Sequence, residues 1–211
     1  MARDEERRAR SAEVPVVGSL PDVPGIVVAM RLSDGLAVHL RGLADELLVK
    51  DYPGSTLTRA ERELLATAVS AGNDCFYCMD SHGAFASELL RRANPSAAAG
   101  AAAVEALVDG IKSGGSEGVG AKVAALLHIA RVVQKNARAV TEADVTRALE
   151  AGATDADTQL AVLIASAFCM YNRMVDGLRA KTPPSPEAYR ARAAEIAEHG
   201  YSDVRVQSLP G

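Results

Sequence analysis

Residues 57–86 read LTRAERELLATAVSAGNDCFYCMDSHGAFA, and the two cysteines and the histidine in this stretch govern how the rest is read. Thr58 followed three residues later by Glu61 is a capping box that opens a helix, and it gives Glu61 a structural task. Glu63, two positions on, points about 200° away around a helix of 3.6 residues per turn and needs its own explanation. Gly72 and Asn73 break this helix, and Asn73 or Asp74 is expected to cap a second one that carries the cysteines over 74–93, stopped by Asn94-Pro95. On that second helix Cys75, Cys78 and His82 fall within a stripe about 60° wide, so all three look at one place. Cys75 is expected in the first turn, where free N–H groups and the helix dipole lower a thiol's pKa. His82, one turn beyond Cys78, is placed to take its proton directly or through a water, the nucleophile-plus-base arrangement that activates a thiol.

Two other readings fit these residues. A zinc site would use Cys75, Cys78, His82 and a fourth ligand such as Glu63, but structural zinc usually draws its C-x-x-C from a turn, and no second pair closes the site. Alternatively, two buried cysteines and a satisfied histidine fill a helix interface. Cys169, in ASAFCMYNRM, has no neighbouring base and reads as core. His39, His128 and His199 read as packing or surface residues, and Arg173 as a possible partner for a buried carboxylate near the site.

Working outward, the chain has 211 residues, 48% hydrophobic and 24% charged, enough to bury a real core. Aromatic residues make up only 4% and Ala and Leu are abundant, so the fold class expected is all-α, a bundle of seven to eight helices. The helices are read at 33–50, 58–72, 74–93, a short one around Val104–Ile111, 121–136, 141–152, a largely apolar central one from Thr154 capped with Asp157, and 187–199. Residues 1–25 read as a mobile, charged N-terminal tail and an extended lead-in broken by Pro15, Pro21 and Pro24. Residues 26–181 read as one domain and 182–211 as a C-terminal extension.

No apolar run approaches the roughly 20 residues needed to span a bilayer, and the N-terminus lacks the apolar stretch of a secretory signal, so a soluble, cytoplasmic protein with no membrane partner is expected. The net charge of −4 and the absence of a basic face argue against nucleic acid. In a reducing compartment a close C-x-x-C pair is redox-active or metal-binding more often than structural.

The same stretch resembles the core motif of the alkylhydroperoxidase D-like branch of the carboxymuconolactone decarboxylase superfamily. In that motif a glutamate stands twelve residues before a C-x-x-C whose second cysteine is followed four residues later by a histidine. Glu63, Cys75, Cys78 and His82 meet this spacing, and AALLHIARVVQ, TEADV and NRMVDGL downstream are similar to the peroxidase-related subgroup, so the likeness covers roughly residues 33–181. The resemblance implies an all-α fold without prosthetic group or metal, reduction of a small hydroperoxide by thiols that become a Cys75–Cys78 disulfide, and resetting by a dithiol or protein reductant. It implies Cys78 with His82 as the attacking pair, Cys75 as the resolving thiol, Glu63 in a proton relay, and a homo-oligomer (dimer, trimer or hexamer). The chain departs from some relatives at Tyr77, where they carry a second histidine. Alternatives are a carboxymuconolactone decarboxylase-like lyase, against which the dithiol argues, and a non-enzymatic redox-sensing module.

Overall fold

The capping box at Thr58 does what the sequence asks of it: Thr58 Oγ1 accepts the Glu61 N–H and the Glu61 carboxylate accepts the Thr58 N–H. The computed structural model describes residues 2–93 and 100–202, and every regular element among them is helical. In chain order these are α1 (Ala2–Ser11), α2 (Val27–Leu32), α3 (Asp34–Leu48), α4 (Arg59–Gly72), α5 (Phe76–Ala93), α6 (Gly100–Lys112), α7 (Ala121–Asn136), α8 (Glu142–Glu150), α9 (Asp155–Gly177) and α10 (Arg190–His199). The sequence predicts seven to eight helices, and the two additional ones are α1 and α2. The proposed stop at Asn94-Pro95 lies outside the described residues.

The core is built where α4, α7 and α9 meet. Leu64, Leu65 and Val69 of α4, Leu126, Leu127 and Ala130 of α7, and Leu160, Ile164 and Phe168 of α9 are all buried in one cluster. Both α4 and α9 bury residues on nearly every side, which is what an apolar stripe wider than one helix face requires. α9 is fixed at its start by Asp157. Its carboxylate accepts hydrogen bonds from Ser55 Oγ (2.6 Å), Thr56 N (2.7 Å), Thr56 Oγ1 (2.8 Å) and Thr154 N (3.0 Å), tying the loop before α4 to the helix.

Residues 2–11, expected as a mobile tail, form α1 instead, docked on the cysteine-bearing helix. Arg7 and Arg10 stand three apart, hence on one helix face. Arg7 Nε lies 2.8 Å from the buried carboxylate of Asp80, Arg10 Nη1 is 3.2 Å from Asp176, and the Arg10 guanidinium covers the Phe76 ring. The charges that read as solvated in sequence are thus partly spent on internal carboxylates. α10, expected as a surface or partner-contacting helix, packs on α5 through Ala193 and Ile196 against Phe85. Arg59 donates to the carbonyls of Ile196 (2.8 Å) and Ala197 (2.9 Å), satisfying the last turn of α10 with a cation where the helix dipole favours one. No helix among the described residues is long and apolar enough to cross a membrane.

Candidate active site

The turn between α4 and α5 sets the position of the thiols. Asp74 adopts φ +54°, a left-handed conformation that Asp tolerates, and this one residue reverses the chain between two helices. Neither Asn73 nor Asp74 caps α5. Cys75 stands immediately before the helix, its carbonyl accepting the Met79 N–H (2.9 Å) and its own N–H donating to Ser70 O (3.0 Å). Asn73 is used elsewhere. Its amide donates to Asn172 Oδ1 (2.8 Å) and accepts from Gln134 Nε2 (2.8 Å), joining α4, α7 and α9.

Cys75 and Cys78 are free thiols and both are buried, at 0% and 2% exposure. They sit in a small apolar cluster with Val28, Val175 and Ala180, flanked by Leu20, Val23, Ile26 and Tyr77. The lead-in segment is held over them by a backbone hydrogen bond from Gly25 N to Lys181 O (3.0 Å). Tyr77 is a packing residue. Its ring touches the Gly25 backbone so closely that a Cβ there would lie 2.1 Å from Cε1, and it meets Tyr189 edge-on at 5.7 Å.

The expectation that the helix terminus acidifies Cys75 is reversed. Hydrogen bonding of the Cys75 thiol to Cys78 holds its proton in place, and burial and the charges of Cys78 and Asp176 push in the same direction, well above the ordinary thiol value. Asp176 is a site residue that sequence reasoning missed. Its carboxyl is raised by burial, against the lowering influence of Arg10 and of the neighbouring Cys75 thiol.

The second half of the site is a closed polar triad. Glu63, 1% exposed in the middle of α4, places Oε2 2.7 Å from His82 Nδ1 on α5 and Oε1 2.6 Å from the Tyr201 hydroxyl, just beyond α10. A carboxylate only accepts hydrogen bonds, so His82 carries its proton on Nδ1 and leaves Nε2 as the basic nitrogen. The phenol is held protonated well above its ordinary range by burial, with the Glu63 charge and hydrogen bond adding to the effect. Phe168 (4.5 Å between centroids) and Phe85 (5.2 Å) meet the imidazole edge-on and hold its plane.

The structure therefore brings Glu63 and His82 together and brings Cys75 and Cys78 together. Among the described residues no hydrogen bond joins His82 to either sulfur, so the direct Cys78–His82 contact considered in sequence is not made here. Nor does any group of three or more His, Cys, Asp or Glu side chains there form a metal-holding set. Arg173, proposed as a partner for a buried carboxylate, is exposed and donates to Cys169 O (2.8 Å). Tyr201 is the other residue missed from sequence, because nothing near it in the chain marks a tyrosine as belonging to Glu63.

The Carboxymuconolactone decarboxylase family matches residues 40–110, the span that contains Glu63, both thiols and His82. Among solved structures, the chain is similar to an alkylhydroperoxidase AhpD core, an uncharacterized peroxidase-related protein from Ralstonia eutropha JMP134. They are 26% identical with a TM-score of 0.63, over 85% of this chain and 94% of that one. An uncharacterized peroxidase-related protein from Silicibacter sp. TM1040 shares the fold at 21% identity and TM-score 0.61, covering 81% of this chain and 90% of that one. No curated protein matches. The family match over Glu63, both thiols and His82, and the two solved structures of like fold, support the resemblance of this all-helical chain to the alkylhydroperoxidase D-like, peroxidase-related branch of the carboxymuconolactone decarboxylase superfamily.

Proposed function

We propose that the protein is a cofactor-free thiol peroxidase that reduces small hydroperoxides with the Cys75–Cys78 dithiol. The observation that carries this reading is the occurrence of two free cysteines at the start of α5 together with an acid-base couple, Glu63 of α4 and His82 of α5. Cys78 attacks the peroxide oxygen. Its proton passes through His82 Nε2, by way of the peroxide or a bridging water, to the leaving oxygen, giving a Cys78 sulfenic acid and an alcohol. Cys75, kept protonated by its hydrogen bond and its burial, is the resolving thiol. Asp176, beside that thiol, takes its proton as Cys75 attacks the sulfenic sulfur and the proton is passed on to the departing hydroxide, so that the S–O bond breaks, a disulfide forms and water leaves. An external dithiol, small or protein-borne, then returns two electrons and two protons by exchange.

The test is steady-state consumption of an organic hydroperoxide with excess small dithiol. Catalysed turnover by the wild type, lost in both Cys75→Ser and Cys78→Ser, is expected. Wild-type consumption no faster than the dithiol alone defeats the proposal.

A further inference from the structure

We propose that Tyr201 is a positioning residue of the relay, and that the segment following α10 thereby decides whether Glu63 and His82 are assembled for proton transfer. This rests on the peroxidase reading for its consequence, though not for its geometry.

Glu63 is buried in α4, and a buried carboxylate needs both oxygens satisfied to hold one orientation. His82 Nδ1 satisfies Oε2, and the Tyr201 hydroxyl satisfies Oε1 at 2.6 Å while standing 3.3 Å from the same Nδ1. The phenol ring stacks beside the imidazole, with 6.1 Å between centroids and 25° between planes. Removing the hydroxyl leaves one carboxylate oxygen free to rotate away, and the imidazole with it.

The tyrosine is delivered by a dedicated anchor. Asp45 of α3 accepts the Tyr201 N–H (2.6 Å) with Oδ1 and the Ser202 N–H (2.9 Å) with Oδ2. Gly200 makes the turn into this anchor with φ +74°, and a Cβ there would meet Asp45 Oδ1 at 2.9 Å. α10, pinned by Arg59, sets where the turn begins. The Asp45 anchor, the Gly200 turn and the Arg59 pin thus deliver a hydroxyl whose hydrogen-bonding contacts among the described residues are with Glu63 and His82.

The test uses the full chain with Tyr201→Phe, which keeps the ring, and Asp45→Asn, which keeps the tyrosine and weakens its anchor. In wild type the His82 Nδ1 proton, hydrogen-bonded and enclosed, is expected as a downfield, slowly exchanging NMR resonance. Both variants should lose or broaden it at unchanged fold. Peroxide-driven thiol oxidation should slow about ten- to hundredfold, the effect of one hydrogen bond to an ionised group, in maximal rate with no change in half-saturation. The inference is overturned if the resonance is unchanged in both variants, or if the rate falls only in proportion to unfolded protein. Wild type that fails to oxidise at all defeats the peroxidase reading instead, and the NMR comparison then still decides whether Tyr201 holds His82.

Discussion

Glu63 Oε2 and His82 Nδ1 are 2.7 Å apart across the α4–α5 interface, and the carboxylate is the less exposed of the two. An ionised group removed from water is stable only when paired, so this contact is both a structural tie and the origin of the histidine's tautomer. Glu63→Gln keeps the shape and removes one of two acceptors. Thiol oxidation by peroxide should slow at least tenfold, and unfolding in urea should reveal a loss of about 1–3 kcal/mol. Equal rates for the variant and wild type would separate Glu63 from the chemistry.

The Cys75–Asp176 contact makes a different prediction, about the second step. With Asp176→Asn, Cys78 should still be oxidised while disulfide closure lags, so a sulfenic-acid trap should label Cys78. Cys75→Ser should give the same label, and Cys78→Ser should give none. A stable sulfenate on Cys75 reverses the assigned order.

The lead-in segment covers the thiols through the contact of Gly25 with Tyr77. Gly25 also has φ +57°, so Gly25→Ala both strains the backbone and drives a methyl into the ring. Labelling of reduced protein with a chromogenic aromatic disulfide should accelerate several-fold, with a lower thermal midpoint. Labelling as slow as wild type would mean that the segment does not limit access.

Acid stability is set away from the site. Thr141, through its side-chain and backbone hydrogen bonds, holds Asp144 down to about 2 against the opposing effect of burial, with His128 assisting. At Asp157 burial works upward, but the donors Ser55, Thr154 and Thr56 outweigh it and leave the carboxyl well below the ordinary range. Both groups are depressed in the folded state, so their stabilisation is present above the unfolded value near 4 and is lost as pH falls toward 2 and below. Asp157→Asn should flatten acid unfolding in that window and cost roughly 2–4 kcal/mol at neutral pH. An unchanged acid transition would locate the sensitive group elsewhere.

Much of the fold was legible because its signals are local. The Thr58–Glu61 and Thr154–Asp157 boxes fix where α4 and α9 begin, and the apolar spacing of Val123, Leu126, Leu127 and Ala130 marks α7. Glu63 and His82 were legible as a spacing, and their contact follows from two helices joined by a tight turn. Other features depend on tertiary burial. The alternating charges of α1 look solvated until Asp80 and Asp176 are found beneath Arg7 and Arg10. The helix-dipole argument for Cys75 is outweighed by the thiol's interaction with Cys78 and by its enclosure. Tyr201 is 138 residues from Glu63 and announces itself by no periodicity.

The central claim is tested most directly on fully reduced, metal-stripped protein given one equivalent of a small organic hydroperoxide, with free thiols counted over time and disulfides mapped by mass spectrometry. The account predicts rapid loss of two thiols and a single Cys75–Cys78 linkage, slowed in His82→Ala. Thiols that stay free while the peroxide persists would contradict it.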